Sequence, residues 1–100
     1  MMKIFVWNDE KNEKLQQERA ISFELVVSQI EAGRVLDILE HPDQVRYPGQ
    51  RLLVLEIDGY AFLVPFVENE KEIFLKTVIP SRKATKKYLK GDIDEQARQS

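Results

Sequence analysis

The sequence predicts an α+β fold, an antiparallel β-meander with two N-terminal helices packed on it and a short basic C-terminal helix. Apolar residues recur at helical spacing in the first third of the chain, strand-like runs fill the middle, and a lysine-rich stretch follows a Pro-Ser pair. One hundred residues with 43% hydrophobic content can enclose one core. We therefore expect a single domain over residues 1–100, with residues 92–100 as a polar tail.

The first elements are a strand and two helices. The β-branched and aromatic run KIFVW is typical of a strand. The polar run after it predicts a surface helix that is capped by Asn8 or Asp9 and anchored by Leu15. Ser22 is a natural cap for a second helix, and Gly33 predicts its end. The apolar residues of this second helix recur at helical spacing and predict a face that packs on a sheet: Phe23, Val26, Val27 and Ile30.

Four strand-like runs follow, namely VLDIL, RLLVLEI, YAFLVPFV and EIFLKTVI. The Asp-Gly pair at 58–59 separates two of them and predicts a tight hairpin that pairs Ile57 with Tyr60. Pro65 cannot donate a ladder hydrogen bond, which predicts a bulge or a sheet edge there. The polar segment 40–50, with two prolines and a glycine, predicts a loop.

The last predicted element is a helix over residues 82–90, which we call the basic helix. Pro80 ends the preceding strand, Ser81 can cap the helix, and Gly91 suits its C-terminal end. Residues 81–100 hold six basic and three acidic side chains, a net charge of +3 in a chain whose total is -2. At helical spacing the cations share one side of the helix: Arg82, Lys83, Lys86, Lys87 and Lys90.

This arrangement of charge is unfavourable for an isolated helix. Each pair of like charges four residues apart costs about 0.2–0.5 kcal/mol. The helix dipole also disfavours cations in the first turn, where Arg82 and Lys83 lie. A bound phosphate would relieve both effects. The alternative is a solvated lysine-rich face that serves only solubility.

Composition excludes several classes of protein. The chain has no cysteine and a single histidine, which rules out disulfide frameworks, thiolate metal sites and imidazole clusters. No apolar run approaches the roughly 20 residues of a membrane span, and the first residues do not form a secretory signal. We expect a cytoplasmic protein without a membrane, metal or cofactor requirement.

Four short motifs, in this order, resemble one known family. They are WNDEK at 7–11, ISFE at 21–24, Arg51 at the start of the central strand, and SRKAT at 81–85. Together they resemble the BrnT-like toxins of bacterial type II toxin-antitoxin systems, which share the RelE-like ribonuclease fold. The resemblance implies a small RelE-like domain that cleaves RNA without a metal and so inhibits translation. It also implies a cognate antitoxin that carries a DNA-binding domain, and leaves open whether the RNA is ribosome-bound mRNA.

Cleavage of this kind needs stabilisation of negative charge on phosphorus, which arginine and lysine can supply. Arg82 is the first candidate for that role, and Arg51 is the second if the sheet end lies near the helix start. His41 is a candidate general acid or base, against the alternative of an exposed loop histidine. The predicted phosphate-binding residues are Lys83, Lys86, Lys87 and Lys76, although Lys76 alternatively faces solvent on an edge strand.

Two other functions remain open from the sequence. One is a non-catalytic protein-binding module of the same fold, whose basic helix docks an acidic segment of a partner. The other is a DNA-binding regulator, which lacks support because no recognition-helix motif is present. A partner strand or helix would cover either the edge expected near Pro65 or the basic face.

Overall fold

The computed structural model describes residues 3–90, which form one sheet between two helical layers. The strands are β1 (Ile4–Val6), β2 (Val35–Glu40), β3 (Arg51–Ile57), β4 (Tyr60–Glu68), β5 (Glu72–Leu75) and β6 (Ile79–Pro80). The helices are α1 (Asp9–Arg19), α2 (Phe23–Glu31) and α3 (Arg82–Thr85), and α3 continues as a π-helical turn, Lys86–Lys90. The predicted helix end at Gly91 and the predicted tail 92–100 lie outside the described residues.

The sheet confirms the predicted α+β class and the antiparallel meander. Its strand order is β1-β5-β4-β3-β2, with β6 also paired to β4. Strands β2 to β5 are antiparallel neighbours, whereas β1 pairs with β5 in parallel. The parallel pair was not predicted. The run EIFLKTVI was expected to be one strand, but it divides into β5 and β6. Lys76 N–H still donates to the Pro65 carbonyl, after which the chain leaves the strand pairing and Val78 is buried in the core.

The β3–β4 hairpin has the predicted register. Asp58 and Gly59 both have positive φ, 53° and 79°, as a two-residue type I′ turn requires. Ile57 therefore faces Tyr60, and the pairing continues without a shift to Arg51 and Phe66, at the far end of β3. Side chains on these strands alternate strictly between the two faces of the sheet.

The predicted bulge or edge at Pro65 is wrong. Pro65 lies opposite Leu52 in an interior strand with continuous register. On its other side, β4 pairs with β6 up to Leu63 and with β5 from Phe66 onward. Pro65 falls in the interval between these two partners, where a missing N–H costs no ladder hydrogen bond.

One face of the sheet is covered by α1 and α2, as predicted. Both caps are present: Lys11 N–H donates to Asn8 Oδ1 at 2.9 Å and Leu25 N–H donates to Ser22 Oγ at 3.1 Å. The buried side chain of Asn12 joins the two helices by accepting from Phe23 N–H at 2.7 Å and donating to Glu24 at 2.8 Å. The cluster beneath them includes Leu15, Ile21, Phe23, Val26, Leu53, Leu55, Val64 and Leu75.

The basic helix covers the opposite face. Its Ala84 is buried against Val54 and Ala61, and Tyr88 and Leu89 pack around them. Since α1 and α2 pack on the alternate residues of the same strands, the two clusters are separated by the sheet. Within residues 3–90, the helices are too short and too polar for any of them to cross a bilayer.

Thr85 fastens the basic helix to the sheet. Its hydroxyl accepts from Ala61 N–H at 2.9 Å and donates to the Ser81 carbonyl at 2.8 Å. Ser81 in turn donates its N–H to the Ala61 carbonyl at 3.0 Å and caps the helix by accepting from Ala84 N–H at 3.0 Å. Both backbone groups of Ala61 are thus paired with the start of the helix.

Replacing Thr85 by valine is expected to lower the free energy of unfolding by about 1–3 kcal/mol, because it leaves the buried Ala61 N–H without a partner. Thr85 is only 2% exposed, so water cannot substitute for the lost hydroxyl. Urea denaturation measures the change. Thr77→Val, at a half-buried threonine, is the matched control and should be nearly neutral. Equal stabilities of Thr85→Val and the parent chain would contradict this role of the hydroxyl.

Candidate nucleic-acid interface

The basic helix presents its cations on one side, as predicted. Four are exposed, while Ala84 and Thr85 between them are buried on the sheet: Arg82, Lys83, Lys86 and Lys87. The side chain of Lys90 lies outside the described residues. None of the ion pairs formed within residues 3–90 involves these four cations. Their charge is therefore directed to solvent, where an anionic ligand can reach it.

Beside this helix lies a groove of about 240 Å³, which we call the lysine groove. Its floor is apolar and comes from the three neighbouring strands β2, β3 and β4, and its wall is the helix. The lining residues are Leu39, Val54, Leu63, Ser81, Lys83, Ala84, Lys87 and Tyr88. Two of the four cations, Lys83 and Lys87, thus stand at the edge of an apolar depression.

A hydrogen bond between Tyr88 and Asp37 lies beside the lysine groove. Tyr88 Oη donates to Asp37 Oδ2 at 2.6 Å, which links the basic helix to the edge strand β2. Lys87 Nζ lies 5.3 Å from the centre of the Tyr88 ring, within the range of a cation–π contact. The sequence analysis predicted neither Asp37 nor Tyr88 as a site residue. An aspartate within the apolar run VLDIL nevertheless indicates that this side chain has a polar partner.

The hydrogen bond also shifts the protonation of both groups. Donation from Tyr88 is the main reason that the pKa of Asp37 is lowered, and donation from Ile38 N–H and the charge of Lys87 add to it. The same hydrogen bond raises the pKa of Tyr88, because loss of its proton would place two anions together. At neutral pH the pair therefore consists of a carboxylate and a protonated phenol.

Arg51 is not brought to the basic helix. Arg51 lies two and four residues before Leu53 and Leu55 on β3, so it shares their face of the sheet, which α1 and α2 cover. Its guanidinium forms an ion pair with Glu68 and lies 5.1 Å from the centre of the Phe66 ring. Arg51 therefore does not meet the condition for joining Arg82 in one site.

Glu68 holds a second cation as well. Lys3 Nζ lies 2.8 Å from its carboxylate, and this hydrogen bond is the main cause of the lowered pKa of Glu68. The charge of Arg51 therefore belongs to a three-membered ionic cluster. That cluster borders an apolar groove of about 270 Å³ next to Phe5 and Ile30.

His41 and Lys76 also lie apart from the basic helix. His41 is part of the loop after β2, where its Nδ1 accepts from Asp43 N–H at 3.0 Å and its ring contacts Tyr47. His41 therefore lies in a loop, but it is partly buried, whereas the alternative expected an exposed side chain. Lys76 is exposed and stands with Lys11 and Lys14 near the start of α1. Its Nζ lies 5.6 Å from the centre of the ring of Phe74.

Comparisons of the chain with models of known families, with curated proteins and with solved structures find no match. Within residues 3–90, no group of three or more potential metal ligands comes together. The features of the described residues that bear on function are the basic helix, the lysine groove and the Asp37–Tyr88 hydrogen bond.

Tyr88→Phe is expected to raise the pKa of Asp37 toward the ordinary aspartate range, because its principal hydrogen-bond donor is lost. NMR titration of the Asp37 carboxyl carbon measures the shift. A lowered pKa in the folded state stabilises the fold above the ordinary aspartate range, and this contribution disappears as the pH falls through the folded-state pKa. The stability difference between the parent chain and Tyr88→Phe should therefore shrink in acid.

Tyr60→Phe is the matched control, because Tyr60 lies on a different strand and packs edge-on against Phe62. It should leave the titration of Asp37 unchanged. An unchanged Asp37 pKa in Tyr88→Phe would show that the hydroxyl does not govern this carboxylate.

Proposed function

We propose that this chain is the toxin component of a type II toxin-antitoxin system, a metal-independent endoribonuclease that inhibits translation. The proposal joins the resemblance to the BrnT-like toxins and the RelE-like fold with the exposed cations of the basic helix. The observation that carries it is the group of four outward-facing cations beside an apolar groove: Arg82, Lys83, Lys86 and Lys87.

The proposed reaction uses the substrate's own nucleophile. The RNA 2′-oxygen bonds to the adjacent phosphorus while the bond from phosphorus to the 5′-oxygen breaks, leaving a 2′,3′-cyclic phosphate and a 5′-hydroxyl. The 2′-hydroxyl proton goes to solvent or a base, and the leaving oxygen gains a proton. The protein must orient this attack and stabilise the added negative charge.

The basic helix can meet the electrostatic requirement. Arg82 is exposed and its planar guanidinium can hold two phosphate oxygens at once. The neighbouring lysines can hold flanking phosphates as point charges. Arg51 has no part in this proposal, because it lies on the other face of the sheet and pairs with Glu68. His41 and Lys76 have none either, since each lies in a different part of the surface.

A non-catalytic protein-binding module is the second candidate, and one observation favours it. Strand β2 forms an outer edge of the sheet, and two of its apolar side chains are exposed, Ile38 to 50% and Leu39 to 36%. A partner strand could pair with this edge while an acidic segment covers the adjacent cations. The cognate antitoxin with its DNA-binding domain would use the same surface, so antitoxin binding is compatible with either function.

Expression of the chain in bacteria is expected to arrest growth and to create new RNA 5′ ends that carry hydroxyl groups. Arg82→Ala should reduce the cleavage rate by about 100- to 1,000-fold, the effect of removing one donor from a charged transition state. Sequencing that distinguishes 5′-hydroxyl from 5′-phosphate ends measures this. Arg19→Ala, at the exposed end of α1, is the control and should cleave normally.

Two results would contradict the proposal in different ways. Full cleavage by folded Arg82→Ala would remove that residue from the site. No new ends and no arrest from folded parent protein would favour the binding module, and tight capture of an acidic partner would then be expected.

RNA binding should depend on salt in proportion to the phosphates that are neutralised. Removing one contact with Lys86→Ala should reduce the magnitude of the slope of log K against log salt by about 0.7 for a single strand. Fluorescence anisotropy with a 2′-O-methyl RNA measures binding without cleavage. Lys71→Ala, in the turn before β5, is the matched control with an unchanged slope. Equal slopes for Lys86→Ala and the parent chain would exclude Lys86 as a phosphate contact.

A further inference from the structure

The lysine groove combines an apolar floor with a cationic rim. Val54 and Leu63 are register partners on β3 and β4, and Leu39 lies further along β2 on the same face. Lys83 and Lys87 are four residues apart on the wall above this floor. A ligand that fills the groove must therefore present a flat apolar surface and carry negative charge beside it.

The size of the groove limits that ligand. Pockets for drug-sized molecules measure about 300–1,000 Å³. The lysine groove measures about 240 Å³ and is open to solvent on one side, since Leu39 remains 36% exposed. It has space for one planar ring system rather than for a whole oligonucleotide or a helix of a partner.

A nucleotide in a single strand has both of the required features. Each of its bases has a π face that stacks on aromatic or apolar side chains, and a phosphate lies on either side along the backbone. Tyr88 supplies an aromatic surface in the groove, and the Lys87 ammonium lies 5.3 Å from the centre of that ring. In a duplex, both faces of a base are already stacked, so the groove discriminates against double-stranded RNA.

We propose that the lysine groove holds one unstacked base of single-stranded RNA while Lys83 and Lys87 bind its flanking phosphates. This inference deepens the proposed function and rests on it, because it assigns the substrate class of the same site. It assigns Leu39, Leu63 and Tyr88 to base binding rather than to the core alone. The floor is apolar and has no arrangement of donors and acceptors that would read one base, so binding favours single strands over a particular sequence.

The test compares three 2′-O-methyl oligonucleotides of equal length in binding to the folded full chain. One is an intact single strand, one is the same strand with abasic positions, and one is a duplex. Because abasic RNA keeps its phosphates, the intact strand should bind about tenfold more tightly than the abasic strand, as the stacking of one base provides. The duplex should lack this contribution from the stacking of a base in the groove.

Two neighbouring substitutions locate the effect. Leu39→Ser removes part of the groove floor and should bring the ratio of intact to abasic affinity close to one, without changing abasic binding. Ile38→Ser is the matched control, because Ile38 is 50% exposed on the same strand but faces the other side of the sheet, beside Arg51. It should leave the ratio unchanged. Circular dichroism of both variants verifies that they fold.

The outcomes separate this inference from the proposed function. Equal binding of intact and abasic strands would overturn the base site while leaving phosphate binding, and thus the ribonuclease proposal, in place. A base effect that both serine variants reduce equally would place the base elsewhere and also overturn the inference. Absence of binding to all three oligonucleotides would overturn the RNA function itself and favour a protein ligand on this surface.

Discussion

The tight turn at Asp58 and Gly59 is the constraint on which the two faces of this molecule depend. Since its two residues fix the register of β3 and β4, they decide which side chains point to each helical layer. A slip of one residue would exchange the residues beneath α1 and α2 with those beneath the basic helix. The same hairpin supplies Ala61, whose N–H and carbonyl receive Thr85 and Ser81. The position of the cations therefore follows from the hairpin.

Local signals were sufficient for most of the fold. The three serine or asparagine caps at Asn8, Ser22 and Ser81 and the two-residue hairpin each depend on a few neighbouring residues, and all are present. The errors involve non-local pairing. The parallel contact of β1 with β5 joins segments that are more than sixty residues apart. Pro65 costs no ladder hydrogen bond only because it falls between the parts of β4 that pair with β6 and with β5.

The candidate site was predictable only in part, for the same reason. The side of the basic helix that carries its cations follows from helical spacing, so Lys83 and Lys87 were found. The other members depend on how that helix crosses the sheet. Tyr88 meets Asp37 across 51 positions of sequence, and Arg51 is separated from Arg82 because the helix packs on the face that Arg51 avoids. Helical spacing within one element does not predict which residues of another element it will contact.

Asp37 places a negative charge at one side of the basic surface. Its pKa is lowered mainly by the Tyr88 hydroxyl, so the group is a carboxylate at neutral pH. A carboxylate repels phosphate, and this carboxylate lies beside Tyr88, which lines the lysine groove. Phosphates held by Lys83 and Lys87 would therefore lie on the side of these lysines that faces away from Asp37. In the proposed complex, the uncharged base would lie near Tyr88 and the backbone along the exposed cations.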